Sequence, residues 1–321
     1  MKAIKTLAMA ALATAVFASC SSEDELAQNN YPMDNVVRIM TSVDGMNTRA
    51  SYGNSTDNLN SFGFCIKNAN SEKYTYDNVK VTKEGSNWNP ATQMLWQNST
   101  TAVDILAYAP YQETTEDASG KVKVFGKTDY AFSVKADQSN AEDYSSDLIV
   151  YKQTGFKPGT ELNTSKAVDV TFTHLLSQLN LTIELRDQFN QDEKKPVTSA
   201  TVTDVKVDGT LIRSKVNFAA DPISVQFDGM ASKAITPETV AFTKADKTTD
   251  HATFKYSAIV IPQRVYAGQL CIKFKVDGTD YIWTGTDNAL FESGKKYELH
   301  LLVGKDVVQG GAISAIPWGD E

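Results

Sequence analysis

The sequence predicts an all-β protein built of two β-sandwiches. Three observations lead there. Apolar and polar residues alternate with a period of two in short runs from residue 36 onward, the mark of half-buried strands. Clusters of Gly, Asn, Asp, Ser and Pro separate these runs at short intervals, as they do in sandwiches and barrels. No segment sustains apolar spacing at 3.6 residues. The 321 residues suffice for two domains that each bury a core, and the number of strand candidates suits two sandwiches better than one.

The first strand candidate is 36–43, where Val37, Ile39, Thr41 and Val43 alternate with Arg38, Met40 and Ser42. Residues 44–60 break the pattern with Gly, Asn, Ser and Asp and read as an exposed loop. Alternating runs follow at 62–67, 74–82, 103–108, 122–125, 130–134 and 148–151. The second half repeats them at 168–173, 179–185, 200–207, 211–218, 223–227, 253–261, 270–276, 281–284 and 296–303. Asp208-Gly209 and Asp277-Gly278 each lie between two runs and predict type I′ hairpins, whose turn needs positive φ. Only residues 174–178 suggest a helical turn, with Thr173 as its cap. Residues 155–166, rich in Gly, Pro, Thr and Asn, mark the boundary between an N-terminal sandwich at 36–160 and a C-terminal one at 161–321.

The chain opens with Lys2 and Lys5 before an apolar run at 7–17, too short to remain across a bilayer. Residues 1–19 read as a secretory signal peptide. Ala18, Ser19 and Cys20 then resemble the end of a bacterial lipoprotein signal, which places a covalent lipid on Cys20; an ordinary signal peptide that contains a Cys is the alternative. The acidic residues Glu23, Asp24 and Glu25 resemble the surface-export signal of Bacteroidetes lipoproteins, and 20–35 reads as a tether. An exported protein could pair Cys65 with Cys271. Both sit in alternating apolar runs, and two buried thiols are the preferred reading.

The net charge is −8 and the Lys residues are scattered, which argues against a groove for nucleic acid. His174, His251 and His300 have no His or Cys at zinc-site spacing. There is no nucleophile elbow and no phosphate-binding Gly-rich loop. Asp187, Asn190, Asp192 and Glu193 lack the spacing of a calcium loop. No catalytic residue, metal or cofactor is expected, apart from the lipid. The 39 Asp and Glu residues offer no way to choose a hydrolytic carboxylate pair. Trp88, Trp96, Trp283 and Trp318 suit sugar stacking or the core, and the core is favoured.

Several segments together resemble the Bacteroidales fimbrillin family. They are the run 172–183 with Phe172, His174, Ser177 and Leu179; Ala107, Tyr108, Pro110 and Tyr111; and Asp147 with Leu148. Gly294, Lys295 and Tyr297 come before a late strand, and Trp318-Gly319 stands near the end. The resemblance covers essentially the whole chain. It implies two transthyretin-like β-sandwiches and a structural role in a pilus shaft, tip or anchor, with a part in adhesion. Shaft subunits of the family are exported as lipoproteins to the outer membrane. An Arg-specific protease then removes the first strand, and a neighbouring subunit donates a strand to the vacated groove.

Carried onto this sequence, the resemblance implies a cut between Arg49 and Ala50. Val37, Ile39, Thr41 and Val43 form the removable strand, and Arg38 is protected inside it. Ile313, Ala315, Ile316 and Trp318 belong to the candidate donor strand. The implied partners are other fimbrial subunits, most simply copies of this chain, together with the protease and the outer membrane. Alternatives are a non-polymerising tip or anchor, or a surface lipoprotein that binds glycans. Insertion of 36–43 into a sheet favours the pilin; exposed Trp88 and Trp96 favour the glycan binder.

Overall fold

The alternating runs form strands. The structure, a computed structural model, describes residues 30–43, 52, 55–113, 124–191, 195–229 and 232–317. The first half of the chain builds β1 (Ile39–Val43), β2 (Ser61–Lys67), β3 (Tyr76–Glu84), β4 (Asn87–Pro90), β5 (Val103–Ala109), β6 (Tyr130–Ser133), β7 (Ile149–Phe156) and β8 (Val168–His174). Then come β9 (Ser177–Leu185), β10 (Val202–Asp208), β11 (Arg213–Asn217), β12 (Ser224–Phe227), β13 (Glu238–Thr243), β14 (Ala252–Val260) and β15 (Gln263–Val265). The chain ends with β16 (Cys271–Val276), β17 (Thr279–Thr284), β18 (Ala289–Phe291), β19 (Lys295–Val303), β20 (Val308–Gly310) and β21 (Ser314–Pro317).

Seven strands form one sheet in the order β1-β8-β7-β5-β2-β3-β4. Its middle strands read as nearly continuous apolar runs because both of their faces are buried. On one face Phe62, Phe64, Ile66, Ile105 and Ile149 join a core with Val37, Ile39, Val43, Val168, Val170 and Phe172. On the other, Cys65, Leu106, Tyr108, Leu148 and Val150 enter a second, larger core. There Tyr108 meets Tyr130 and Phe218, each at 5.6 Å between ring centroids. Tyr130 and Phe132 come from the sheet β12-β11-β6, which covers this face.

The larger core continues under a six-stranded sheet. Its order is β13-β14-β9-β19-β20, with β21 also on β19. Leu181, Ile183, Phe254 and Leu299 on this sheet pack with Ile272 and Phe274 of the sheet β10-β16-β17.

The structure departs from the sequence reading at several places. The strands do not divide at residue 160: β8 lies beyond it and completes the first sheet, while β6 lies before it and pairs with β11. Asp277-Gly278 makes its hairpin, with positive φ at both residues (51° and 84°) and Val276 opposite Thr279. Asp208-Gly209 does not. Gly209 has φ 90°, but β10 goes on to pair with β16 and β11 with β6 and β12, so the turn moves the chain between sheets. Residues 174–178 are not helical: His174 ends β8, Ser177 starts β9, and Leu175 and Leu176 are buried between them. An α-helical turn forms instead at α1 (Pro158–Glu161), whose first position is a proline, and 3-10 turns form at Glu72–Tyr74, Tyr144–Ser146 and Asp187–Phe189. Val124 and Phe125 lie outside any strand. The end of the predicted tether is packed, with Pro32 buried and Asn30 Nδ2 donating to Leu162 O at 2.9 Å. The strands β4, β13, β18 and β20 escape sequence reading because few of their residues reach a core, and β15 because its three residues are too few to show a period.

Candidate functional site: the first and last strands

The first strand inserts into the sheet as its outermost member. β1 pairs in parallel with β8, from Ile39 opposite Val168 to Val43 opposite Phe172. Val37, Ile39 and Val43 are buried, Thr41 is half-buried, and Met40 faces outward at 48% exposure. Full burial of each apolar side chain stabilises by roughly 1.5–3 kcal/mol. Val168 N donates to Arg38 O at 2.8 Å, and Val37 N donates to Met94 O at 3.0 Å. The chain just before β1 therefore also ties to the segment after β4. Arg38 is engaged twice, because its Nη2 also binds Asp34 Oδ2 at 2.6 Å. That bond holds the Asp34 carboxyl down to about 2.

β8 meets β7 only through Ile149 opposite His174 and Val150 opposite Thr173. Among the described residues, 168–172 take their ladder bonds from β1 alone. Without β1 they would expose a polar backbone edge beside an apolar cleft, a ready acceptor for another strand.

A second feature fixes where the first strand rejoins the fold. Asp147 is fully buried and binds His174 Nδ1 through Oδ1 at 3.0 Å. Its Oδ2 accepts from Tyr52 N at 2.8 Å. Tyr52 stacks on Tyr144 with 5.5 Å between centroids, and burial pushes its phenol well up. Asp147 and His174 stand in two of the fimbrillin-like segments, yet nothing in their spacing says that they meet or that Tyr52 joins them. Arg49 and Ala50 precede Tyr52 and lie, with Cys20 and Trp318, outside the described residues.

The last strand pairs at home. β21 runs antiparallel along β19, with Tyr297 opposite Ala315 and Lys296 opposite Ile316. β20 covers the other end of the same edge, with Leu301 opposite Gly310. Ile313 is half-buried between the two pieces and Ala315 is exposed.

The remaining candidates resolve into packing. Trp96 is buried and stacks on Phe156. Trp88 meets Phe62 edge-on at 5.1 Å with Lys83 over its ring. Neither offers a flat exposed platform. Cys65 is buried in β2, where its Sγ donates to Asp77 Oδ1 at 3.3 Å and burial pushes the thiol up. Cys271 starts β16 half-buried, and both are free thiols. His251 Nδ1 and His300 Nε2 both bind Glu184, the latter at 2.7 Å. Among the described residues no set of three His, Cys, Asp or Glu side chains is placed to hold a metal, and no helix is long and apolar enough to cross a membrane.

Three solved structures share the fold. A candidate cell adhesion protein from Bacteroides ovatus superposes with a TM-score of 0.60 at 12% identity, over 89% of this chain and 98% of that one. Another, from Bacteroides uniformis, gives 0.54 at 20% identity over 89% and 99%. A fimbrial protein from Bacteroides vulgatus gives 0.51 at 18% identity over 88% and 99%. No curated protein sequence matches the chain. The fimbrillin-like family profile matches residues 48–318, leaving β1, the residues before it and the four after it, and the last three residues outside. The chain thus belongs to the fimbrillin-like family.

Proposed function

We propose that this protein is a non-enzymatic structural subunit of a cell-surface fimbria, assembled by strand exchange and contributing to adhesion. The observation that carries the reading is that, among the described residues, β1 is the first and outermost strand of its sheet and the sole ladder partner of residues 168–172. Lipidation at Cys20 would hold the exported chain at the outer membrane. An Arg-specific protease would cut between Arg49 and Ala50. The Asp147 bond to Tyr52 supports this site, because it anchors the chain just past the cut while the segment before it departs. A strand from a second copy, with Ile313, Ala315, Ile316 and Trp318, would then fill the slot of Val37, Ile39, Thr41 and Val43. Relatives described as fimbrial or adhesion proteins support a location on the cell surface.

Pairing of β21 with its own β19 favours a second reading, a tip or anchor subunit that does not donate. One experiment separates the two. The soluble form lacking residues 1–20 is treated with an Arg-specific protease and run on a gel with and without boiling. A cut near Arg49 and a heat-sensitive ladder identify a shaft subunit. Arg49→Ala should then leave a folded monomer, and a normal ladder from that variant would sink the cleavage site. A stable, uncut wild-type monomer identifies a non-polymerising subunit.

A further inference from the structure

The C-terminal strap, residues 308–315, pairs with β19 through β20 and β21, and few further bonds fasten it between those ladders. Arg186 Nη2 donates to Gln309 Oε1 at 2.6 Å. Gly311 N donates to His300 O at 3.1 Å, where β20 gives way to β21. Between these points lies the Trp283 indole, on β17. A Cβ placed on Gly310 would stand 2.1 Å from Trp283 Nε1 and 2.7 Å from Cε2, so the strap backbone rests directly on the indole. On the far side, a Cβ on Gly285 would stand 3.3 Å from Trp283 Cη2. The ring is thus bracketed by two glycines, one on its own hairpin side and one on the strap. Gly310 carries no positive φ, so its need for glycine is one of space and not of backbone conformation. Beside the ring an open groove of about 680 Å³ runs between Leu290 and the strap, and its walls include Ile282 and Ile313.

We infer that Trp283 and Gly310 form a latch that sets how readily the C-terminal strap leaves β19. This rests on the strap being the donated strand. Beyond its ladder with β19, the strap buries little side chain around the latch: Ala312 and Ala315 are exposed, and Val308 and Ile313 are half-buried. The indole supplies a broad rigid seat, and the missing side chain at 310 lets the backbone reach it. An added methyl at 310 drives the ring into the groove or lifts the strap, and either breaks the seat. The groove gives the ring somewhere to go, so the fold itself should survive. Trp283 and Gly310 are positioning residues: they act on donation through the strap and touch no acceptor.

The latch is tested on the uncut monomer, where no polymer is needed. Amide hydrogen exchange at Gly311 and along β19 is compared in the wild type, Gly310→Ala, Trp283→Ala and the double variant. Each single variant should speed exchange at Gly311 by at least about tenfold, with β9 and β14 unchanged. In the double variant the added methyl meets no indole, so it should cost nothing beyond Trp283→Ala, a strong non-additivity. Exchange at wild-type rates in both single variants, or additive effects in the double, would overturn the latch. A Gly310→Ala chain that fails to fold leaves the same question to Trp283→Ala, which adds no bulk. Polymerisation after proteolysis is scored separately. Faster exchange without any ladder keeps the latch and rejects donation; a ladder with unchanged exchange does the reverse.

Discussion

At the residue scale the buried Asp147 joins three segments distant in sequence. Asp147→Ala removes the acceptor of Tyr52 N and of the His174 ring. Leaving buried donors without partners costs roughly 1–3 kcal/mol each, so the variant should lose about 3 kcal/mol. Urea unfolding measures this, and a loss below about 1 kcal/mol would mean that water fills the site. Glu184 is a milder case. Burial alone would raise its carboxyl, but bonds from His251 and His300 outweigh burial and hold it below the usual range. A depressed folded value stabilises above the unfolded one, near 4.5, and is lost as pH falls through the folded value. Glu184→Gln should therefore show a deficit of about 0.5 kcal/mol at neutral pH, shrinking to nothing in strong acid. Thermal melts of both proteins across that range check the sign, and a deficit that grows toward acid would contradict it.

At the scale of elements, backbone accounting explains why some strands are interchangeable and others are not. β9 is held on both edges over its whole length, by β14 and by β19. Among the described residues, β1 and β21 each have one neighbour in their sheets. Ile39→Asp puts a charge into the slot and should loosen β1 without unfolding β9. Faster hydrogen exchange confined to residues 168–172 is the expected sign, and global unfolding would show that β1 is integral. The turn after β10 is rigid for a different reason. Gly209 sits at φ 90°, and a Cβ there would stand 1.9 Å from Gln269 O. Gly209→Ala should cost about 2–4 kcal/mol, read from the unfolding midpoint.

Across the whole molecule, the seven-stranded sheet is shared between two cores. Alternate residues of β5 point to opposite ones, Ile105 and Ala107 to the smaller, Leu106 and Tyr108 to the larger. A fragment of residues 30–160 would lack β8 and would expose Leu106, Tyr108 and Val150. It should remain unfolded by circular dichroism, whereas residues 30–317 should melt in one transition. Two well-separated transitions would show that the halves are independent.

Much of this was legible in the sequence. Runs of alternating or apolar residues predict β2, β5, β8, β9, β14 and β19 within a residue or two and β1 within three, because the side-chain period is local. The Asp277-Gly278 hairpin is equally local: two residues that tolerate positive φ suffice. The first-strand residues are recognisable for the same reason, since Val37, Ile39 and Val43 alternate before a polar loop. What no local pattern contains is partnership. Asp208-Gly209 carries the same signal as Asp277-Gly278, yet the competing edges of β16 and β6 are better partners for its flanking runs than they are for each other. β8 joins the sheet before it, and not the one after, because Val168, Val170 and Phe172 find an apolar cleft beside β1. The meeting of Asp147, His174 and Tyr52, and the seating of Gly310 on Trp283, likewise depend on which surfaces the packed sheets bring together. Periodicity and turn chemistry were therefore settled by the sequence itself. Strand order, the sharing of a sheet between two cores and the contacts of the terminal strands were decided only in three dimensions, where burial is a competition among distant segments for the same edges and clefts.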